Sequence, residues 1–141
     1  MLLCIMVAEK RFVSPEDVET IKLDWGTLKW LNTPDVTGSS GFSAGVVVLD
    51  PGKGHERHTH PDSEEILYFL DGEGTQTVAD EERTVGAGEM VHIPSGVEHS
   101  TINTSWEPLK FLAAYCPPGP EAEIRELAES TVFPPGAFPE E

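Results

Sequence analysis

Residues 52–72 read GKGHERHTHPDSEEILYFLDG, a histidine-rich segment that runs into an apolar strand. His58 and His60 are two residues apart, and side chains on an extended chain alternate between faces with a period of two. The two imidazoles therefore point the same way, about 6–7 Å apart along the chain. A Pro-Asp-Ser turn at 61–63 follows. We expect this turn to carry the Glu65 carboxylate back over the two imidazoles.

Residues 88–103 read GEMVHIPSGVEHSTIN and supply a third histidine. A strand-like run at 90–93 meets a turn at 94–96, and a further strand follows with His99 near its start. Three imidazoles and one carboxylate make an N3O shell that suits a divalent transition metal: manganese, iron, cobalt, nickel, copper or zinc. The predicted metal ligands are His58, His60, Glu65 and His99.

Ten positions in these two stretches resemble the two motifs of the cupin superfamily, in the form of a single-domain small cupin. The first motif is matched by Gly52, His58, His60, Glu65 and Gly72, and the second by Gly88, Pro94, Gly96, His99 and Asn103. All ten stand at permitted spacings, and the resemblance covers about residues 42–116. It implies a metal inside a β-barrel. It does not select a reaction, because cupins include dioxygenases, decarboxylases, isomerases, cyclases, storage proteins and regulator domains.

The predicted fold is all-β: a cupin double-stranded β-helix (jelly-roll barrel) with a short C-terminal helix. A chain of 141 residues is one domain by size. Residues 1–41 are expected to form N-terminal strands and a loop of that domain, 42–116 the barrel, and 117–141 the helix and tail. The helix is predicted at 121–130 from helical spacing of apolar residues, and the turn-rich segment 32–41 is predicted as a loop.

The composition argues against several partners. Nine basic and 25 acidic residues give a net charge of −16, whereas nucleic acid and anionic membranes need a basic surface. Such an acidic protein has a well-solvated surface, which a high-salt source would also favour. Residues 1–11 are too short to span a bilayer and lack signal-peptide features, so they are interpreted as a strand, and cytoplasmic localisation is the default. Cys4 and Cys116 form no paired motif.

The strand at 65–70 is apolar on both faces, which predicts a partner for its outer face. If Glu65 points into the barrel, Leu67 and Phe69 do too. Ile66, Tyr68 and Leu70 then point outward. An apolar outer face needs a cover. The N-terminal strands or a second subunit could supply it, and we predict a homodimer.

The leading functional hypothesis is a metal-dependent enzyme acting on a small oxygenated organic substrate, as an oxygenase, isomerase or cyclase/lyase. The alternative is a non-catalytic small-molecule or sugar binding module with a structural metal, and a metal-stabilised structural dimer is a third interpretation. Outside the ligand set, His55 is expected to be a solvated loop residue and His92 a strand histidine with a polar partner. Asn103 is expected to bond backbone atoms.

Overall fold

The computed structural model describes residues 10–139. Cys4 and most of the predicted N-terminal strand lie outside these residues. The described chain is all-β, as predicted, with a 3₁₀ turn at Pro15–Asp17 and two short helices. The strands are β1 (Thr20–Leu23), β2 (Gly26–Asn32), β3 (Ser43–Leu49), β4 (Glu64–Asp71), β5 (Glu73–Val78), β6 (Glu81–Gly86), β7 (Met90–Ile93), β8 (His99–Ile102), β9 (Leu109–Cys116) and β10 (Thr131–Phe133). The helices are α1 (Pro34–Thr37) and α2 (Pro120–Arg125).

Two antiparallel sheets enclose the core. The larger sheet has the strand order β10-β1-β2-β3-β9-β4-β7, and the smaller has the order β6-β5-β8. Two isolated bridges, Gly54 to Ile102 and His58 to His99, attach the segment after β3 to the free edge of β8. The inner faces of both sheets contribute to one buried apolar cluster, which includes Leu67, Phe69 and Val85. This arrangement is the predicted jelly-roll barrel.

The two helices depart from the sequence prediction: α1 lies in a segment predicted as a loop, and α2 is shorter than predicted. The segment 32–41 is not wholly a loop, because Thr33 caps one helical turn by accepting a hydrogen bond from the Val36 N–H at 3.3 Å. The helix predicted at 121–130 ends at Arg125. Beyond it the Ser130 hydroxyl bonds the Arg125 and Leu127 carbonyls at 2.8 and 2.7 Å, and such local bonds compete with helix continuation.

The two faces of β4 alternate as the sequence predicted. Leu67 and Phe69 are buried in the core, whereas Tyr68 and Leu70 are each 42% exposed on the outer face. The N-terminal strands β1 and β2 do not cover this face, because they extend the same sheet beside β3. A second subunit remains the predicted cover.

None of the helices found between residues 10 and 139 combines the length and apolar character that a membrane crossing requires.

Candidate metal centre

Backbone hydrogen bonds bring the three histidines together. His58 and His99 exchange both of their backbone bonds, each at 3.0 Å, and the Gly96 N–H donates to the His60 carbonyl at 3.0 Å. His58 belongs to an isolated bridge, so the extended segment that carries His58 and His60 is not one of the regular strands. One bridge is enough to place both side chains over β8.

The three imidazoles form a compact cluster. One ring nitrogen from each of His58, His60 and His99 lies within 4.8 Å of the others. The Nε2 atoms of His58 and His60 are 3.1 Å apart. The ring centroids of His58 and His99 are separated by 4.3 Å. Nitrogen atoms this close can share a single metal ion.

Glu65 faces the cluster from β4. Its Oε2 lies 3.7 Å from His60 Nε2, and its Oε1 lies 3.8 Å from His99 Nε2. The backbone register places Glu65 between Ile93 of β7 and Tyr115 of β9, on the inner face of the larger sheet. The fourth predicted ligand is therefore adjacent to the three histidines.

The outer nitrogens of two imidazoles are held by backbone carbonyls. His58 Nδ1 lies 2.9 Å from the Glu56 carbonyl, and His99 Nδ1 lies 2.9 Å from the Val97 carbonyl. Each Nδ1–H donates to its carbonyl, which leaves the Nε2 lone pair for the centre of the cluster. Such bonds are the usual support of metal-binding histidines, and the sequence alone did not identify these acceptors.

Burial disfavours the charged forms of Glu65, His60 and His99 when no cation is present. It raises the pKa of Glu65 to about 8, against a smaller lowering by a hydrogen bond with Tyr115. Burial, with the neighbouring His58 and His99, lowers the pKa of His60 to about 4. The pKa of His99 is also lowered by burial. A cation binding here would therefore displace the Glu65 proton.

Two buried atoms of the site have no hydrogen-bond partner among the described residues: Glu65 Oε2 and His99 Nε2. An unsatisfied buried polar atom is costly. Both atoms belong to predicted ligands, and both can donate an electron pair to a cation. The donor set therefore fits a divalent transition metal.

A cavity of about 560 Å³ opens beside the cluster. His58, His60 and Glu65 border it, whereas His99 is 1% exposed. The remaining wall combines aromatic and aliphatic side chains from the β1–β2 turn, β2, β3, β9 and the segment around α2. Its principal members are Trp25, Trp30, Val47, Phe111, Tyr115, Ile124 and Leu127. Sequence reasoning did not identify this wall, because its members are far apart along the chain.

The expectation for His55 is wrong. Its ring packs edge-on against Trp25 at 5.9 Å and against His58 at 4.5 Å, and it borders the cavity. A glycine-flanked loop suggested a solvated residue, but the bridge at Gly54 brings this loop against the sheet. His55 is thus a neighbour of the cluster.

The expectations for His92 and Asn103 agree with the structure. His92 lies on β7 with its Nε2 3.1 Å from Glu64 Oε1, on the outer face. The Asn103 amide donates to the carbonyls of Leu49 and Glu107 at 3.1 and 2.7 Å. Asn103 therefore ties the end of β8 to the end of β3.

The chain belongs to the cupin family: residues 45–115 match the model of the cupin domain. It is 27% identical over 114 residues to the tetracenomycin polyketide synthase protein TcmJ of Streptomyces glaucescens, covering 81% of this chain and 76% of that protein.

Two solved structures resemble the chain. Oxalate decarboxylase of Lactobacillus farciminis, in a formate complex, superposes with a TM-score of 0.67 and 28% identity over 73% of this chain and 32% of that one. The chain thus spans about a third of that enzyme. An RmlC-like cupin from Shewanella frigidimarina superposes with a TM-score of 0.70 over 83% of this chain and 99% of the other. At 18% identity, that likeness shows the fold alone.

Proposed function

We propose that His58, His60, Glu65 and His99 hold one divalent transition metal, and that the chain is a metal-dependent enzyme acting on a small oxygenated organic molecule. The observation that carries the proposal is the meeting of three imidazole nitrogens within 4.8 Å at the wall of a cavity of about 560 Å³. Cavities that bind small organic molecules fall in this size range, about 300–1,000 Å³.

The donor set supports a catalytic more than a structural site. A structural zinc site is closed by its protein ligands, whereas a catalytic site keeps positions open. Four protein ligands leave positions open on a six-coordinate ion. When bound, such a metal supplies Lewis-acid polarisation of substrate oxygens or, if it is iron, redox chemistry with O2.

The residues of the chain have separate tasks in this proposal. The carbonyls of Glu56 and Val97 orient the rings of His58 and His99. The Tyr115 hydroxyl acts on Glu65 and favours its ionised form. Leu67 and Phe111 border the cavity and exclude water from the substrate.

The names of the relatives do not choose one reaction. One is a polyketide synthase protein and another an oxalate decarboxylase. We therefore extend the proposal to oxygenase, isomerase and cyclase/lyase chemistry.

Metal analysis of the purified protein tests the ligand assignment. We expect about one metal ion per chain in the wild type and at least a tenfold loss of affinity in His60→Ala, since even residues that only support metal ligands contribute about 10–100-fold. His92→Ala is the matched control, because it removes an exposed histidine on the outer face of the larger sheet, outside the proposed ligand set. Full metal occupancy in His60→Ala would refute the assignment.

We also propose that the outer face of β4 and β7 joins two copies of the chain. Tyr68, Leu70 and Met90 are exposed there, and an apolar face of this kind favours association. Light scattering at micromolar concentration should give the mass of a dimer, and Tyr68→Glu should reduce it. A monomeric mass in the wild type would contradict the proposal.

A further inference from the structure

The cavity beside the histidine cluster has an uneven distribution of charge. The acidic residues on its wall are Glu56, Glu65 and Glu129. Among the described residues that line it, none is lysine or arginine. Apart from the proposed metal, an anionic ligand would therefore meet no cation on the described wall, and the Glu56 and Glu129 carboxylates would repel it.

Two arginines that follow wall residues in the sequence form ion pairs with glutamates. Arg57 Nε donates to Glu98 Oε1 at 2.7 Å. Arg125 Nε donates to Glu19 Oε1 at 2.6 Å. Neither arginine is among the described residues that line the cavity. The net charge of −16 further disfavours the approach of an anion.

Aromatic rings on the cavity wall contact one another and the cluster. The Trp25 ring meets His55 edge-on at 5.9 Å and an interplanar angle of 74°. His55 meets His58 at 4.5 Å and 76°. The ring centroids of Trp30 and Tyr115, which also line the cavity, lie 5.5 Å apart. Aromatic walls favour flat apolar rings through stacked and edge-to-face contacts.

We propose that this cavity binds an uncharged, ring-containing molecule with two neighbouring oxygen atoms and discriminates against small anions such as dicarboxylates and phosphorylated sugars. The inference rests on the proposed function, because the two oxygens are those that the metal would hold. Trp25 is the specificity-determining residue: it lines the cavity through its ring contact with His55 and is not one of the proposed ligands.

Catechol and oxalate are suitable probes, because each offers two neighbouring oxygens and only oxalate is an anion at neutral pH. Oxalate is already deprotonated and catechol is not, so a bare metal ion favours oxalate. A preference for catechol must therefore come from the protein. The protein is loaded with zinc, which has no redox chemistry that would consume catechol, and its zinc content is measured first.

Calorimetric titration should show that the zinc-loaded wild type binds catechol at least about tenfold more tightly than oxalate. Trp25→Ala should weaken the binding of catechol by about tenfold and change the affinity for oxalate by less than about twofold. Glu129→Lys should strengthen the binding of oxalate by at least about threefold and leave the affinity for catechol unchanged. Glu129 belongs to the cavity wall but not to the proposed ligand set.

Wild-type protein with full zinc that binds oxalate as tightly as catechol, or more tightly, would overturn this inference and leave the metal site intact. Failure of the wild type to bind zinc would overturn the proposed function, and the inference with it. If Trp25→Ala does not fold, as judged by circular dichroism, the wild-type comparison and Glu129→Lys decide the matter alone.

Discussion

Glu64 and Glu65 are neighbours on β4, yet they form two very different histidine–glutamate groups. Glu64 and His92 lie on the outer face, 55% and 52% exposed, with 3.1 Å between their polar atoms. Glu65 is 5% exposed on the inner face and lies 3.7 Å from His60 and 3.8 Å from His99. The period of two along a strand sends consecutive side chains to opposite faces. The same residue types therefore meet in water on one face and inside the barrel on the other.

The difference shows that burial, more than residue type, makes a site that fits a metal. An exposed ion pair is worth little, because water solvates both charges and competes for them. Inside the barrel, burial raises the pKa of Glu65 and lowers that of His60. A bound cation would favour the ionised form of Glu65 and accept the lone pairs of the imidazoles. It would therefore offset the cost of burying these groups.

The largest contrast between the two faces should appear in stability. Phe69 is fully buried and packs against Phe111 with ring centroids 5.4 Å apart. We expect Phe69→Ala to lower the free energy of unfolding by about 3–5 kcal/mol, because it leaves a cavity. Tyr68→Ala, on the outer face, should cost less than about 1 kcal/mol at low protein concentration. Urea unfolding measures both, and equal losses would contradict the assignment of faces.

Metal removal should give the next largest effect. A ligand that binds only the folded state stabilises it by about 4 kcal/mol at a thousandfold excess over its dissociation constant. A chelator should therefore lower the melting temperature of the metal-loaded wild type. Glu65→Gln should reduce this shift, and Glu64→Gln, the matched change on the outer face, should preserve it. An equal chelator shift in both variants would exclude Glu65 from the site.

The metal-free protein should show a pH dependence that originates at Glu65. Its pKa is raised from 4.5 to about 8 by burial, so folding takes up a proton between these values. The stabilising contribution is complete below pH 4.5 and is lost as the pH rises to about 8. Glu65→Gln should abolish this loss, which unfolding titrations in the presence of a chelator would measure. If the free energy of unfolding of Glu65→Gln depends on pH as that of the wild type does, another group is responsible.

His60 should produce the opposite trend on the acid side. Its pKa is lowered from 6.5 to about 4, chiefly by burial, so the folded state favours the neutral ring. Its contribution is present above pH 6.5 and is lost as the pH falls to about 4. As the pH falls from 6.5 to about 4, the free energy of unfolding of metal-free His60→Asn should decrease less than that of the metal-free wild type. Metal-free Glu65→Gln should show the same decrease as the wild type.

The smallest effect is expected from the exposed pair. His92→Ala removes its contact with Glu64 and should change the free energy of unfolding by less than about 1 kcal/mol, with no change in metal content. Thermal denaturation and elemental analysis measure both quantities. A loss of metal in this variant would mean that the outer pair also contributes to metal binding.

The sequence predicted the fold class and the four candidate ligands through its resemblance to the two cupin motifs, within each of which the spacing is short. The interval between His58 and His60 brings both rings to the cluster even though the segment forms two isolated bridges and no regular strand. The sequence did not predict the role of His55, nor the wall formed by Trp25 and Leu127. These residues meet only because the β1–β2 turn, β2 and the segment around α2 border the same cavity in the folded chain. No local pattern encodes that approach.

What the amino-acid order determined by itself was which side chains carry lone pairs and which face of each strand they occupy, since strand periodicity is a local property of the backbone. What only the tertiary structure decided was the environment of those side chains. The backbone carbonyls that orient the imidazoles, the burial that shifts the pKa of Glu65, and the aromatic cavity all arise from contacts between distant segments. Those contacts form when two sheets close around a common core.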